Sequence, residues 1–134
     1  MIPTDQSISW HGLNFLIADD DVYSHLLLER AFLRTGVKIH HAYNGIEALK
    51  ILLEQDIDVA IVDIIMPGYD GMEVVEKSRQ HCQNTLFLAY TADILRVNKA
   101  VCLQKGFDAC YTKPMLPYRL MSEIDKLVAV RKVL

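Results

Sequence analysis

Asp63 closes an apolar run, Val59-Ala60-Ile61-Val62, and the turn-rich stretch Ile64-Ile65-Met66-Pro67-Gly68-Tyr69-Asp70-Gly71 follows it. A carboxylate at the end of a buried strand points out of the sheet's carboxyl edge, where open α/β sheets keep their ligands and chemistry. Asp19-Asp20, Thr91 and Lys113 stand at the ends of three other apolar runs. Adjacent carboxylates suit Mg²⁺, which takes one or two of them together with waters and phosphate oxygens. An aspartate is also a nucleophile toward phosphorus, forming an acyl phosphate. Lysine supplies a point charge for phosphoryl oxygens, and a threonine hydroxyl donates to one. The set is a kit for holding a divalent cation and a phosphoryl group.

Each residue also has a plainer role. Asp19-Asp20-Asp21 is equally an exposed turn in which Asp21 caps the next helix. Asp63 is equally a strand-end cap, Thr91 a helix N-cap and Lys113 a solvated charge. Pro114 restricts Lys113 to extended or turn geometry and leaves a cis bond open. The conjunction decides for shared chemistry, because four unrelated plain roles would have to coincide at the ends of strands one, three, four and five.

The elements that must position these groups alternate in kind. Strand-length apolar runs occupy 13–18, 37–42, 59–63, 85–90 and 109–112, and amphipathic stretches lie between them. That alternation implies βαβ units and a parallel sheet, with five strands and five helices. Asn44 and Glu47, then Asp70 and Glu73, have capping-box spacing. Gly36 and Gly106 follow apolar-periodic stretches, as helix-ending glycines do. Ile46, Leu49 and Leu53 read as one apolar stripe. Pro117 opens the last helix, with Leu120, Ile124, Leu127 and Val128 as its stripe. Tyr90, just before Thr91 and large for a strand end, is expected to line the switch surface. Residues 1–12 fall outside the pattern as a leader or linker, 13–131 form the domain, and 132–134 are a tail.

Composition narrows the partners. A chain of 134 residues is one domain, and its 51% hydrophobic content supplies a core. A net charge of −3, with no basic run, argues against nucleic acid or an anionic membrane as a direct partner. No run approaches the roughly 18 apolar residues of a membrane span, and residues 1–11 lack a signal peptide's apolar region. Cys82, Cys102 and Cys110 match no metal or redox spacing and read as reduced, core-filling thiols in a cytosolic setting. His25, His40, His41 and His81 offer no helix-borne phosphotransfer site; His40-His41 lies in or beside the second strand.

The chain resembles the receiver domains of the response-regulator superfamily over about 13–131. The resemblance rests on Leu16-Ile17-Ala18-Asp19-Asp20, on Asp63 through Gly71, on Tyr90-Thr91-Ala92 and on Tyr111-Thr112-Lys113-Pro114. It implies a flavodoxin-like, doubly wound parallel sheet in the order 2-1-3-4-5 with five helices. It implies phosphorylation of Asp63 by a histidine kinase or a histidine phosphotransfer domain. By the same analogy Asp20, Asp63 and the Ile65 backbone carbonyl hold Mg²⁺ or Mn²⁺, with Asp19 acting through water, and Thr91 and Lys113 contact the phosphoryl group. A downstream protein would read the surface formed by 94–112 and 118–130. The implied setting is cytoplasmic, either free or as the cytoplasmic part of a membrane-bound hybrid kinase.

Two departures from the family pattern matter. Cys110 stands three residues before Lys113, where relatives commonly carry an aromatic ring whose rotation reports phosphorylation. Tyr111 faces the other side of the sheet and cannot take that role over. Ile65 stands where polar residues are frequent, and its side chain would not orient a hydrolytic water. Two other readings stay open. A small Mg²⁺-dependent phosphatase of the haloacid-dehalogenase type also uses a strand-end aspartate, but Val22-Tyr23-Ser24 lacks the usual Gly-Thr and there is no room for a cap domain. A receiver-like module that no longer uses phosphate is the other. The receiver reading is not that of an enzyme; at most it takes phosphate from small donors and slowly sheds it.

Overall fold

The computed structural model describes residues 8–92 and 99–133. Among these, the chain runs β1 (Asn14–Ala18), α1 (Val22–Ala31), β2 (Lys38–Ala42), α2 (Gly45–Glu54), β3 (Val59–Val62), α3 (Gly71–Ser78), β4 (Leu86–Thr91), α4 (Lys99–Lys105), β5 (Ala109–Thr112) and α5 (Pro117–Val133). The expected helix starting at residue 94 begins outside the described residues. All strand pairs are parallel, in the order β2-β1-β3-β4-β5. The parallel sheet is the one the strand and helix alternation implies, and its doubly wound, flavodoxin-like order is the one the resemblance implies.

Period-2 alternation divides the core between the two faces of the sheet. Leu16, Ala18, Ala60, Val62, Phe87 and Ala89 point to one side, against Ala48 and Leu52 of α2, Val74 and Val75 of α3, and Cys102 of α4. Phe15, Ile17, Val59, Ile61, Leu86 and Leu88 point to the other, against Leu28 of α1 and Leu120, Ile124 and Val128 of α5. The strands β1, β3 and β4 are sandwiched and almost wholly buried, so they read as unbroken apolar runs.

The helix ends follow their local chemistry. Asp70 and Glu73 close a complete capping box on α3. At α2, Asn44 accepts from the Glu47 amide, but Glu47 turns to the Tyr43 amide instead of that of Asn44, so only half of the box forms. Gly36 and Gly106 hold φ of 81° and 110°, the left-handed region that ends a helix cheaply only with glycine.

Three expectations are corrected. The buried face of α2 is Gly45, Ala48 and Leu52, while Ile46 and Leu53 are exposed. The small residues turn inward because α2 lies close on the loop after β3: a Cβ on Gly45 would collide with the Tyr69 carbonyl. Tyr90 is buried, not a surface residue; its hydroxyl accepts the Met115 amide at 3.1 Å. The set-apart leader 1–12 also gives way from residue 8 onward. Trp10 is fully buried, packs tilted against Phe15 and edge-on against Phe32 at centroid distances of 4.8 and 5.3 Å, and donates its indole N–H to Asp125 at 3.0 Å. An indole with a satisfied N–H contributes a large apolar surface to the α1–α5 side.

Candidate functional site

The sheet's backbone ladder sets out the site one residue past its ordinary pairs. The Asp19 amide donates to the Ala42 carbonyl (3.1 Å), the Asp63 amide to Ala18 (2.9 Å) and the Lys113 amide to Thr91 (2.9 Å). The ends of β1, β3 and β5 therefore deliver two carboxylates and an ammonium to one edge, with β4 and Thr91 between the last two. Behind Asp63, α3 begins so close that a Cβ on Gly71 would collide with the Asp63 carbonyl. The Gly71 amide donates to the Ile64 carbonyl at 2.8 Å, which folds the loop back under the site.

Asp19, Asp20 and Asp63 place carboxylate oxygens within 4.8 Å of one another. Asp19 is buried, Asp63 half-buried and Asp20 exposed. The Lys113 ammonium lies 2.5 Å from Asp19 Oδ2, 3.1 Å from Asp63 Oδ2 and 3.3 Å from Ser24 Oγ. Asp19 Oδ1 accepts the Asp21 amide at 2.9 Å, and Asp63 Oδ1 accepts the Ile65 amide at 3.2 Å. Asp21 stands apart from this set and caps α1 through the Tyr23 amide at 3.0 Å. The acidic triplet thus divides its labour: two carboxylates join the cluster and one starts a helix.

Burial alone would lower the Lys113 pKa; the hydrogen bond it donates to Asp19 and the charges of Asp19 and Asp63 outweigh it and push the value up. The ammonium is the cation that balances the carboxylates. The Lys113–Pro114 peptide is cis. Thr91 is buried at the end of β4, opposite Thr112 in register. The exposed Ile65 side chain leaves its position in the loop open to solvent.

Three supports were not legible as site residues. His25 is buried, and its Nε2–H donates to the Asp19 carbonyl at 2.7 Å. Its other ring nitrogen meets His41 Nδ1 at 2.7 Å, and His41 Nε2 lies 2.7 Å from Glu29. Tyr90 places its ring 5.6 Å from the Lys113 ammonium while holding Met115. Ser24 reaches Lys113 from the first turn of α1, and the only signal for it is that it lies within a helical turn of the capping Asp21. For His25 no sequence signal exists, since its partner is a backbone carbonyl.

Cys110 and Tyr111 face opposite sides, as the strand period requires. Cys110 packs on the cluster that holds α4, and Tyr111 on the cluster that holds α5.

A doubly wound sheet with an acidic cluster and a paired lysine at its carboxyl edge is the architecture of CheY-like proteins. The chain belongs to the response regulator receiver domain family, which it matches over residues 15–125. It is 30% identical over 113 residues to the sensor histidine kinase RcsC of Escherichia coli, covering 84% of this chain and 12% of that protein. The chain thus spans about an eighth of the length of that relative. Among solved structures, the receiver domain of Francisella response regulator 1452 superposes with a TM-score of 0.80 at 28% identity, covering 88% of this chain and 98% of that one. A CheY-like receiver domain protein from Methanospirillum hungatei shares the fold with a TM-score of 0.84 at 23% identity, over 90% of this chain and 96% of the other. The receiver domain of a sensor histidine kinase from Pseudomonas aeruginosa, with magnesium coordinated in its active-site cleft, shares it at a TM-score of 0.79 and 22% identity, over 88% and 98%. The chain is a receiver domain of two-component signalling.

Proposed function

We propose that Asp63 accepts a phosphoryl group from a phosphohistidine on a histidine kinase or phosphotransfer domain, with a divalent cation held beside it. The observation that carries this reading is the convergence of Asp19, Asp20, Asp63 and Lys113 on one sheet edge. The residues fit a hard cation: three carboxylates within one ligand span, two of them already tied down by backbone amides. Asp20 and Asp63, with the Ile65 carbonyl and Asp19 through water, would hold Mg²⁺ or Mn²⁺. The bound cation would neutralise charge on the phosphoryl oxygens.

The chain's own groups do the rest. An Asp63 carboxylate oxygen attacks phosphorus, and the imidazole of the donor leaves. The Asp63 amide and the Ile65 amide fix the carboxylate's aim. Lys113 moves its charge from the Asp63 carboxylate onto the phosphoryl oxygens, and the Thr91 hydroxyl donates to one of them. The exposed apolar face of α1 (Val22, Tyr23, Leu26 and Leu27) begins beside Asp20 and suits docking of the phosphodonor. Val101 and Leu103, exposed on α4, support a downstream partner on the 94–112 and 118–130 surface. No described helix is long and apolar enough to cross a membrane; we place the domain in the cytoplasm, alone or within a hybrid kinase.

Incubation with acetyl phosphate and Mg²⁺ tests this. The intact mass should rise by one phosphoryl group, and EDTA should prevent it. Sustained turnover of p-nitrophenyl phosphate with no stable adduct would favour the phosphatase reading instead.

A further inference from the structure

Cys102 and Cys110 lie on adjacent elements with their sulfurs 3.5 Å apart. Cys102 is fully buried on α4, while Cys110 is half-buried on β5. A short turn joins the two elements, and the Phe107 amide closes it on the Cys102 carbonyl at 3.1 Å. The third cysteine, Cys82, is occupied elsewhere: its S–H meets the Leu52 carbonyl at 3.2 Å. Position 110 is where the resemblance leads one to expect an aromatic ring, and here a second thiol packs against it. A pair of core-filling cysteines needs no sulfur–sulfur approach; two thiols in contact across the helix–strand boundary are one oxidation away from a covalent link.

We infer that Cys102 and Cys110 are a modification site, closing to a reversible disulfide that pins α4 to β5 when a peroxide-class oxidant is present. The Cys110 thiolate, the more accessible of the two, attacks a peroxide oxygen. The O–O bond breaks, hydroxide leaves, and a sulfenic acid forms on Cys110. The Cys102 sulfur then attacks the Cys110 sulfur and the S–O bond breaks. The leaving hydroxide and the Cys102 proton form water. Overall, two thiols and hydrogen peroxide give one disulfide and two waters; both sulfurs are oxidised and the peroxide oxygens are reduced.

The rate has a built-in limit. Burial first, then the Cys102 thiol beside it, pushes the Cys110 pKa up to about 12, against the opposing charge of Lys99. Thiolate is the reactive form, so closure is slow at neutral pH and accelerates roughly tenfold per pH unit below that value. The pair therefore responds to sustained oxidant. That the pin constrains a partner-binding face rests on the receiver reading; the cross-link itself does not.

The test uses the whole chain, treated with millimolar hydrogen peroxide between pH 7.5 and 9.5, then alkylated, denatured and digested without reductant. Trypsin separates residues 100–105 from 106–119. The two peptides should appear joined, with the loss of two hydrogens, and dithiothreitol should free them. Linkage should form faster with each rise in pH, persist in Cys82→Ser and vanish in Cys110→Ser. Because the unaltered chain carries the main readout, a misfolded variant does not blunt the test. Free, alkylatable Cys102 and Cys110 after exposure that oxidises methionine would overturn the inference, as would Cys110 sulfonic acid without linkage. A cross-link in a chain that takes no phosphate would uphold this inference while removing the phosphoacceptor reading.

Discussion

The Lys113 ammonium sits 3.1 Å from the Asp63 carboxylate and closer still to Asp19. One side chain thus balances two carboxylates that are otherwise ready for a divalent ion. On the proposed reading a bound cation would draw on the same carboxylates as the lysine, and that competition has measurable consequences.

Removing the competing charge should strengthen metal binding. In Lys113→Met the Kd for Mg²⁺ should fall on the order of 3- to 10-fold, an electrostatic difference of about 1 kcal/mol at the effective dielectric of a partly exposed pair. Titration calorimetry reads it directly. The Asp20→Ala, Asp63→Ala double variant should lose binding. An unchanged affinity in both variants would place the metal elsewhere.

The same pair makes stability depend on alkaline pH. Lys113 has a raised folded pKa. Its contribution is therefore complete below the unfolded value of about 10.5 and is lost as pH rises through the higher folded value. Lys113→Met should be less stable than the parent at pH 8, because two carboxylates lose their counter-charge. The difference should shrink as pH climbs past the folded pKa. Denaturant midpoints of both proteins from pH 8 to 11.5 measure it, and a constant difference would rule this linkage out.

Trp10 anchors the start of the chain. Its indole lies against Phe15 and Phe32, with the N–H on Asp125. Trp10→Ala should cost about 3–5 kcal/mol, the usual range for emptying a large aromatic site. A melting temperature within a degree or two of the parent would show that residues 8–12 are dispensable.

Phosphorylation should move this domain's surface little. Cys110 cannot fill space as a ring does, so the packing difference between the two states is small, and a ligand shifts an equilibrium only by its differential interaction. With beryllofluoride and Mg²⁺, amide exchange should change around Asp20, Asp63, Thr91 and Lys113. Across Lys99–Lys105 and Ala109–Thr112 it should change only slightly. Large changes there would show that the switch works without the aromatic.

Much of this was readable from local patterns. The strand runs at 59–63 and 85–90 are unbroken and apolar because both faces of those strands are covered, and strand-end chemistry follows from the chain leaving a buried strand. The Asp70 cap is a local device and formed as spaced. Long-range demands were not readable. The close approach of α2 to Tyr69 turned Ala48 inward and Ile46 outward, against the pattern of large residues. Trp10 belongs to the core through Phe32 and Asp125, partners that residues 1–12 do not announce. His25 supports Asp19 through a carbonyl, and a backbone atom leaves no mark in a side-chain motif.

The central claim is that Asp63 is the phosphoacceptor. After incubation with acetyl phosphate and Mg²⁺, peptide mapping by mass spectrometry should place one acid-stable, alkali- and hydroxylamine-labile phosphoryl group on Asp63, and Asp63→Asn should carry none. Phosphate on a histidine, or undiminished incorporation in Asp63→Asn, would contradict the account.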